Sequence, residues 1–160
     1  MIINEMKLEI KSKSNNEAFA RVVVAAFASQ LDPTIEQIAD IKTAVSEAIT
    51  NCIIHAYDMK EGNIELKCQL TEDSMYIDII DYGKGIENIE MAKQTLYTSK
   101  PDADRSGMGF TIMESFMDKL TVESIVGMGT KIHMEKVIKE VKWISWYGKL
   151  KMEAKKPCQH

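Results

Sequence analysis

Apolar and polar residues alternate in the first stretch of the chain. Met6, Leu8 and Ile10 take every second position, the period of a strand with one buried face. The pattern then turns helical. Ser14-Asn-Asn-Glu17 has the spacing of a capping box, and behind it Phe19, Val22, Val23, Ala26 and Phe27 fall on one side of a helix expected to stop near Leu31. Asp32-Pro33 restarts the chain with a capping side chain and a proline at the first helical position. A long second helix follows, with an apolar stripe of Ile35, Ile38, Val45, Ala48, Ile49, Cys52 and Ile53 and a stop at Glu61-Gly62. Alternation returns in Ile64, Leu66, Cys68 and Leu70, and again in Met75, Ile77 and Ile79, with a turn at Glu72-Asp73 between them: a hairpin.

Residues 89–94 suit a short helix. Residues 96–106, with Ser99-Lys-Pro101 and Asp104-Arg-Ser106, have no period and are expected to form a mobile loop. Residues 110–117 are helical in period, Leu120 and Val122 begin a strand, Gly127-Met-Gly129 makes a tight turn, and residues 131–135 close as a strand. The order β-α-α-β-β-α-loop-α-β-β predicts an α+β fold, a two-layer sandwich with a mixed, mostly antiparallel sheet and helices on one face. That domain is expected to span residues 1–136. Residues 137–160 lose the pattern, and several lysines there surround Trp143-Ile-Ser-Trp146-Tyr147. They read as a basic tail, flexible or loosely docked.

Composition narrows the class. A chain of 160 residues, 45% hydrophobic and 28% charged, is one ordinary globular domain. The formal net charge of −4 argues against direct nucleic-acid binding, which calls for a basic face. No apolar run is long enough for a membrane span and no signal peptide opens the chain, so a cytoplasmic protein is expected. Cys52, Cys68 and Cys158 are scattered and odd in number, which suits reduced thiols better than a zinc site or a disulfide frame. Eleven methionines suggest a forgiving core.

Three short segments carry candidate chemistry. Glu47, Asn51 and His55 are spaced i, i+4, i+8 and line one side of the second helix. A solvated polar stripe would explain most such spacings. Asn51, however, is a poor helix-interior residue set among apolar neighbours. Its amide oxygen suits a single ligand for Mg2+, which keeps most of its waters. Glu47, one turn earlier, is placed to accept a proton from an attacking hydroxyl. His55 either supports Asn51 or packs near the helix end, and the structural role is favoured. Asp81-Tyr-Gly83-Lys-Gly85 ends a strand. It is either an ordinary turn or a purine-reading carboxylate followed by glycines that let a base lie close to the backbone. Gly107-Met-Gly109 opens a helix, where bare amides and a positive dipole end can cradle phosphate. No Walker-type phosphate loop or dinucleotide fingerprint is present. The set suits Mg-ATP and the use of its γ-phosphate.

These segments resemble the GHKL superfamily, the Bergerat ATP-binding fold. Glu47-Ala-Ile-Thr-Asn51-Cys-Ile-Ile-His55-Ala-Tyr57 is similar to its N box, Asp81-Tyr-Gly83-Lys-Gly85 to its first glycine box and Gly107-Met-Gly109-Phe to its second. Gly127-Met-Gly129-Thr130 resembles the terminal segment, where a threonine assists adenine binding. Within the superfamily the likeness is to the anti-sigma-F family of serine-protein kinases from sporulating bacteria. It is carried further by Phe19-Ala-Arg21-Val, Gln30-Leu-Asp-Pro33-Thr and Ser106-Gly-Met-Gly-Phe-Thr-Ile-Met113-Glu, and covers residues 4–135.

The resemblance implies ATP and Mg2+ as cofactors, a homodimer, binding of sigma factor F, and phosphorylation of a serine on an anti-anti-sigma partner. It implies Glu47 as the base, Asn51 at the metal, and Asp81 with Gly83, Gly85 and Thr130 around adenine. Gly107 and Gly109 would lie at the phosphates. Arg105 would neutralise charge as the γ-phosphoryl group leaves, with Lys100 a lesser candidate. Arg21, far from every nucleotide box, is the expected partner contact. A detached ATP-binding domain of a two-component kinase is the alternative, disfavoured because no phosphoacceptor helix pair precedes Met6. A catalytically silent sigma-binding module is another, against which the intact Glu47 and Asn51 speak.

Overall fold

The computed structural model describes residues 1–94 and 108–139. Along the chain run β1 (Asn4–Lys11), α1 (Ser14–Ala28), α2 (Ile35–Asn51), β2 (Asn63–Leu70), β3 (Ser74–Asp81), α3 (Ile89–Ala92), α4 (Gly109–Phe116), β4 (Lys119–Ile125) and β5 (Gly129–Val137). The strands form one sheet in the order β1-β2-β3-β5-β4. All four ladders are antiparallel, so among the described residues the sheet has none of the parallel pairing that a mixed sheet allows. The two-layer α+β arrangement is as the periodicity predicts. The expected loop at 96–106 and residues 140–160 of the expected tail lie outside the described residues.

Period-two strands form here because one sheet face is covered and the other is wet. Ile64, Leu66, Cys68 and Leu70 of β2, Met75, Ile77 and Ile79 of β3, and Ile132 and Met134 of β5 are buried. They meet Ile41, Val45, Ala48 and Ile49 of α2, Met113 of α4 and Val24 of α1. Helix α2 is central and packs on both α1 and α4. On the opposite sheet face, charges pair along and across strands. The Glu65 carboxylate sits 2.8 Å from Lys7 Nζ and 3.0 Å from Lys67 Nζ, which lowers its pKa. Asp78 bridges Lys131 and His133. At the end of β5, Lys136 Nζ donates to Asp40 Oδ2 (2.8 Å) and to the Phe116 carbonyl (2.6 Å), clamping α2 and α4 to the sheet. Ile138 stays buried and its N–H donates to the Asp73 carbonyl, so packing continues past Lys136.

Five local expectations are corrected. The buried face of α1 is Ala20, Val24 and Ala28, whereas Phe19 and Val22 are 52% and 57% exposed. Small residues face α2 because they let the two helices approach. The capping box at Ser14 does not form: Lys13 is the N-cap without a side-chain bond, and Glu17 Oε1 instead accepts from Ser46 Oγ of α2 at 2.6 Å. Asp32 is not the cap of α2. It takes a left-handed conformation (φ 54°), which aspartate tolerates, and Thr34 caps α2 in a complete box with Gln37. Ile35, expected in the apolar stripe, is exposed. Finally α2 ends at Asn51, well before Glu61-Gly62, and passes into a π-helical turn at Cys52–Ala56.

Candidate functional site

The site is assembled where α2 ends. Its last two turns carry Glu47 and Asn51. The π turn then adds a residue to the helical circuit, as such turns often do at functional sites, with Tyr57 N–H donating to the Cys52 carbonyl at 3.1 Å. This widening brings Tyr57 back over the sheet. Its hydroxyl accepts from Tyr82 N–H at 2.8 Å and donates to the Asn63 carbonyl, and its ring occupies the space beside Gly62. Tyr57 thus latches the π turn to the loop that follows β3.

That loop begins at Asp81, which lies on β3 opposite Thr130 of β5. Gly83 leans on the Ala56 backbone of the π turn, and Lys84 N–H donates to the Ala56 carbonyl at 3.2 Å. Gly85 has φ 74°, and a β-carbon there would run into the Ile125 carbonyl, so only glycine fits the turn. Gly127 N–H donates to the Lys84 carbonyl at 2.7 Å, fixing the β4–β5 turn to the same loop. The loop is therefore held between the π turn and the β4–β5 turn.

Between these elements lies a cleft of about 690 Å³, a size usual for small-ligand sites. Asn51, His55, Asp81, Gly85, Gly109 and Thr130 line it, together with apolar Ile86, Val126, Phe110 and Ile132. Glu47 lies at its edge: a β-carbon on Gly109 would fall 3.3 Å from Glu47 Oε2 and 3.2 Å from the Asn51 amide atoms. Gly83 is not a lining residue and acts behind the cleft, its N–H donating to Asp81 Oδ1 at 2.9 Å. Arg21 is not a lining residue either. It sits on α1, its Nε 3.6 Å from Glu17 Oε1. Lys100, Arg105 and Gly107 lie outside the described residues.

Asp81 is 5% exposed, and burial raises its pKa, opposed by the backbone N–H groups of Gly83 and Thr130. Cys52 Sγ lies 3.8 Å from Asp81 Oδ2, and burial followed by the Asp81 charge pushes the thiol pKa well up, so it stays a thiol. A buried carboxylate at the end of an apolar slot suits a planar ligand that offers a hydrogen-bond donor. For a metal, Asn51 offers one hard oxygen at the cleft wall beside the Glu47 carboxylate. No cluster of three or more metal-ligating side chains occurs among the described residues. That donor set fits a Mg2+ ion held largely by water and phosphate. Sequence reasoning placed Tyr57 at the end of the N-box likeness without a role, and missed Ile86 and Val126. Only the π turn and the folded loop bring them to the site, and no local pattern announces either.

The geometry is that of a nucleotide-binding kinase-type domain, and residues 10–136 match the family described as the histidine kinase-like ATPase domain, a domain that binds ATP. The chain is 58% identical over 135 residues to the anti-sigma F factor of Caldanaerobacter subterraneus subsp. tengcongensis, covering 84% of this chain and 94% of that protein. It is 59% identical over 134 residues to the anti-sigma F factor of Clostridium beijerinckii, covering 83% and 94%. The chain belongs to the anti-sigma F factor family within this ATPase class. A crystal structure of the RsbU and RsbW domains of a Mycobacterium tuberculosis protein shares the fold, with a TM-score of 0.60 at 16% identity. That likeness covers 84% of this chain and 32% of the longer one. Among the described residues no helix is long and apolar enough to cross a membrane.

Proposed function

We propose that the chain is a cytoplasmic anti-sigma factor and protein-serine kinase. It binds Mg-ATP in the cleft, holds sigma factor F in that state, and phosphorylates a serine of an anti-anti-sigma partner. The observation that carries this reading is the convergence of Asn51, Asp81, Gly85, Gly109 and Thr130 on one cleft, with Glu47 beside them. The membership in the anti-sigma F family supplies the partners.

Bound Mg-ATP supplies the γ-phosphoryl group and the charge neutralisation that transfer requires. The chain does the rest. Asp81 accepts from the adenine amino group, with Thr130 beside it and Ile86 and Val126 enclosing the base. Asn51 holds Mg2+ through its amide oxygen. Gly109, at the start of α4, gives bare backbone to the phosphates. Glu47 accepts the proton of the partner serine as its oxygen bonds to the γ-phosphorus, while the bond from that phosphorus to the β–γ bridging oxygen breaks and ADP leaves. Arg105 and Gly107 enter this reading from the sequence alone, Arg105 as the cation facing the leaving charge. Arg21 belongs to the partner face. The exposed Phe19 and Val22 of α1 and the outer edge of β1, unpaired among the described residues, support a homodimer.

The test is transfer of labelled γ-phosphate from ATP to a purified anti-anti-sigma protein, with sigma factor F binding followed in parallel. Serine phosphorylation and ATP-dependent sigma binding are expected. Sigma binding with no transfer would mark a silent binding module, and transfer only to a histidine would mark a two-component kinase domain.

A further inference from the structure

Ser124, near the end of β4, faces Thr130 across the β4–β5 ladder. Its hydroxyl is a three-way node. Ile86 N–H donates to Ser124 Oγ at 2.8 Å, the Gly129 carbonyl lies 3.0 Å from Oγ, and Thr130 Oγ1 lies 2.9 Å away. A serine hydroxyl has one proton and two lone pairs. The Gly129 carbonyl can only accept, so it takes the proton. Ile86 N–H can only donate, so it takes one lone pair. The remaining lone pair is met by the Thr130 proton. Donor counting therefore sets the direction of this bond: Thr130 donates to Ser124 and keeps only lone pairs for anything else.

We propose that Ser124 is a purine-selecting positioning residue, which holds the Thr130 proton so that Asp81 and Thr130 present hydrogen-bond acceptors alone to the base. The proposal rests on the reading of the cleft as an ATP site and deepens it. Adenine offers an exocyclic amino group, a donor that such a wall accepts directly or through water. Guanine places a carbonyl oxygen at the same position, which the wall repels. An ionised Asp81 gives this discrimination alone, and Ser124 extends it to the second polar side chain of the wall. Without the serine hydroxyl, Thr130 is released to turn its own proton towards a carbonyl. Ser124 lines no part of the cleft and acts only through its neighbours.

The same hydroxyl also ties Ile86 to β4, so the test has to separate selection from support. Dissociation constants for Mg-ATP and Mg-GTP are measured by calorimetry on the full chain. Wild type, Ser124→Ala, Ser124→Thr, Thr130→Val and the Ser124→Ala/Thr130→Val double variant are compared. Ser124→Ala is expected to cut the ATP-over-GTP preference about tenfold, the scale of one hydrogen bond reversed. Ser124→Thr, which keeps the hydroxyl, should restore it. In the Thr130→Val background, Ser124→Ala should change the preference no further, because the effect runs through Thr130. Equal loss of ATP and GTP affinity in Ser124→Ala, or an undiminished effect in the Thr130→Val background, would overturn the role of Ser124 alone. A wild-type chain that binds both nucleotides equally would overturn the reading of the base pocket, and this proposal with it.

Discussion

Gly109 opens α4 against the side of α2 that carries Glu47 and Asn51, and alanine there makes a graded test of their placement. The new β-carbon would lie 3.2 Å from both Asn51 amide atoms and 3.3 Å from Glu47 Oε2, so those groups must retreat by a few tenths of an ångström. The backbone itself accepts alanine, because Gly109 is not among the residues with positive φ. Helix propensity favours the change by up to about 1 kcal/mol. A misplacement of about 1 Å in a reacting constellation can cost on the order of 100-fold in rate. A few tenths of an ångström then corresponds to roughly a three- to tenfold loss. Gly109→Ala should therefore keep or gain thermal stability while single-turnover phosphoryl transfer slows by that factor. Stability is read from thermal melting without nucleotide, transfer from rapid-quench assays with saturating ATP. A wild-type rate would refute the placement of Glu47 and Asn51 at the reacting groups. A marked drop in melting temperature would refute the claim that the strain falls on side chains alone.

Glu47→Gln should leave ATP affinity intact and slow transfer by roughly 10²–10⁴-fold, since it removes the proton acceptor and keeps the shape; single-turnover rates equal to wild type would remove Glu47 from that role. Asp81→Asn should blunt selection of ATP over GTP, and competition titrations that show the wild-type ratio would take Asp81 out of the base site. The same variant tests burial. The folded-state pKa of Asp81 is raised above 3.8 by desolvation, so the nucleotide-free chain binds this proton more tightly than the unfolded chain does. Its contribution is most favourable below the unfolded value and is lost as pH rises through the raised folded value. The melting temperature of Asp81→Asn relative to wild type should thus climb as pH is raised from about 4 towards neutrality, and a flat difference would show that Asp81 is not desolvated. Arg21→Ala should weaken partner binding by about 2 kcal/mol and leave ATP affinity unchanged; normal partner binding by calorimetry would move the partner face elsewhere.

The strands were readable because this sheet buries one face. Ile64 to Leu70 and Met75 to Ile79 alternate in sequence as they alternate in space, and their ladder register follows. Helix α1 departs from its apolar pattern for a physical reason. Hydrophobicity alone ranks Phe19 and Val22 above Ala20 and Ala28, yet close helix contact selects the small residues and leaves the large ones outside. Glu17 has capping spacing, but a tertiary bond to Ser46 takes its carboxylate. At the site, the polar residues were legible because their chemistry is rare in those places: an asparagine inside an apolar run and an aspartate at a strand end before glycines. The apolar walls, Ile86 and Val126, look like any other residues until two turns fold together. The π turn has no periodic signature at all, since a single added residue resembles a continuing helix.

That added residue has a consequence for how the gene can change. Deleting one position within 52–56 would let the α2 ladder run on undisturbed, and as a matter of helix stability alone the shorter chain would be acceptable. Everything behind the deletion would rotate by about 100°, carrying the Tyr57 hydroxyl off Tyr82 and Asn63 and freeing the loop after Asp81 from its anchor. The length of this turn is fixed from outside the helix, by a tyrosine that must arrive at a set angle. Length variation is expected to be tolerated at the Glu72-Asp73 hairpin tip, and at the end of α2 to be inherited only with the loss of the cleft.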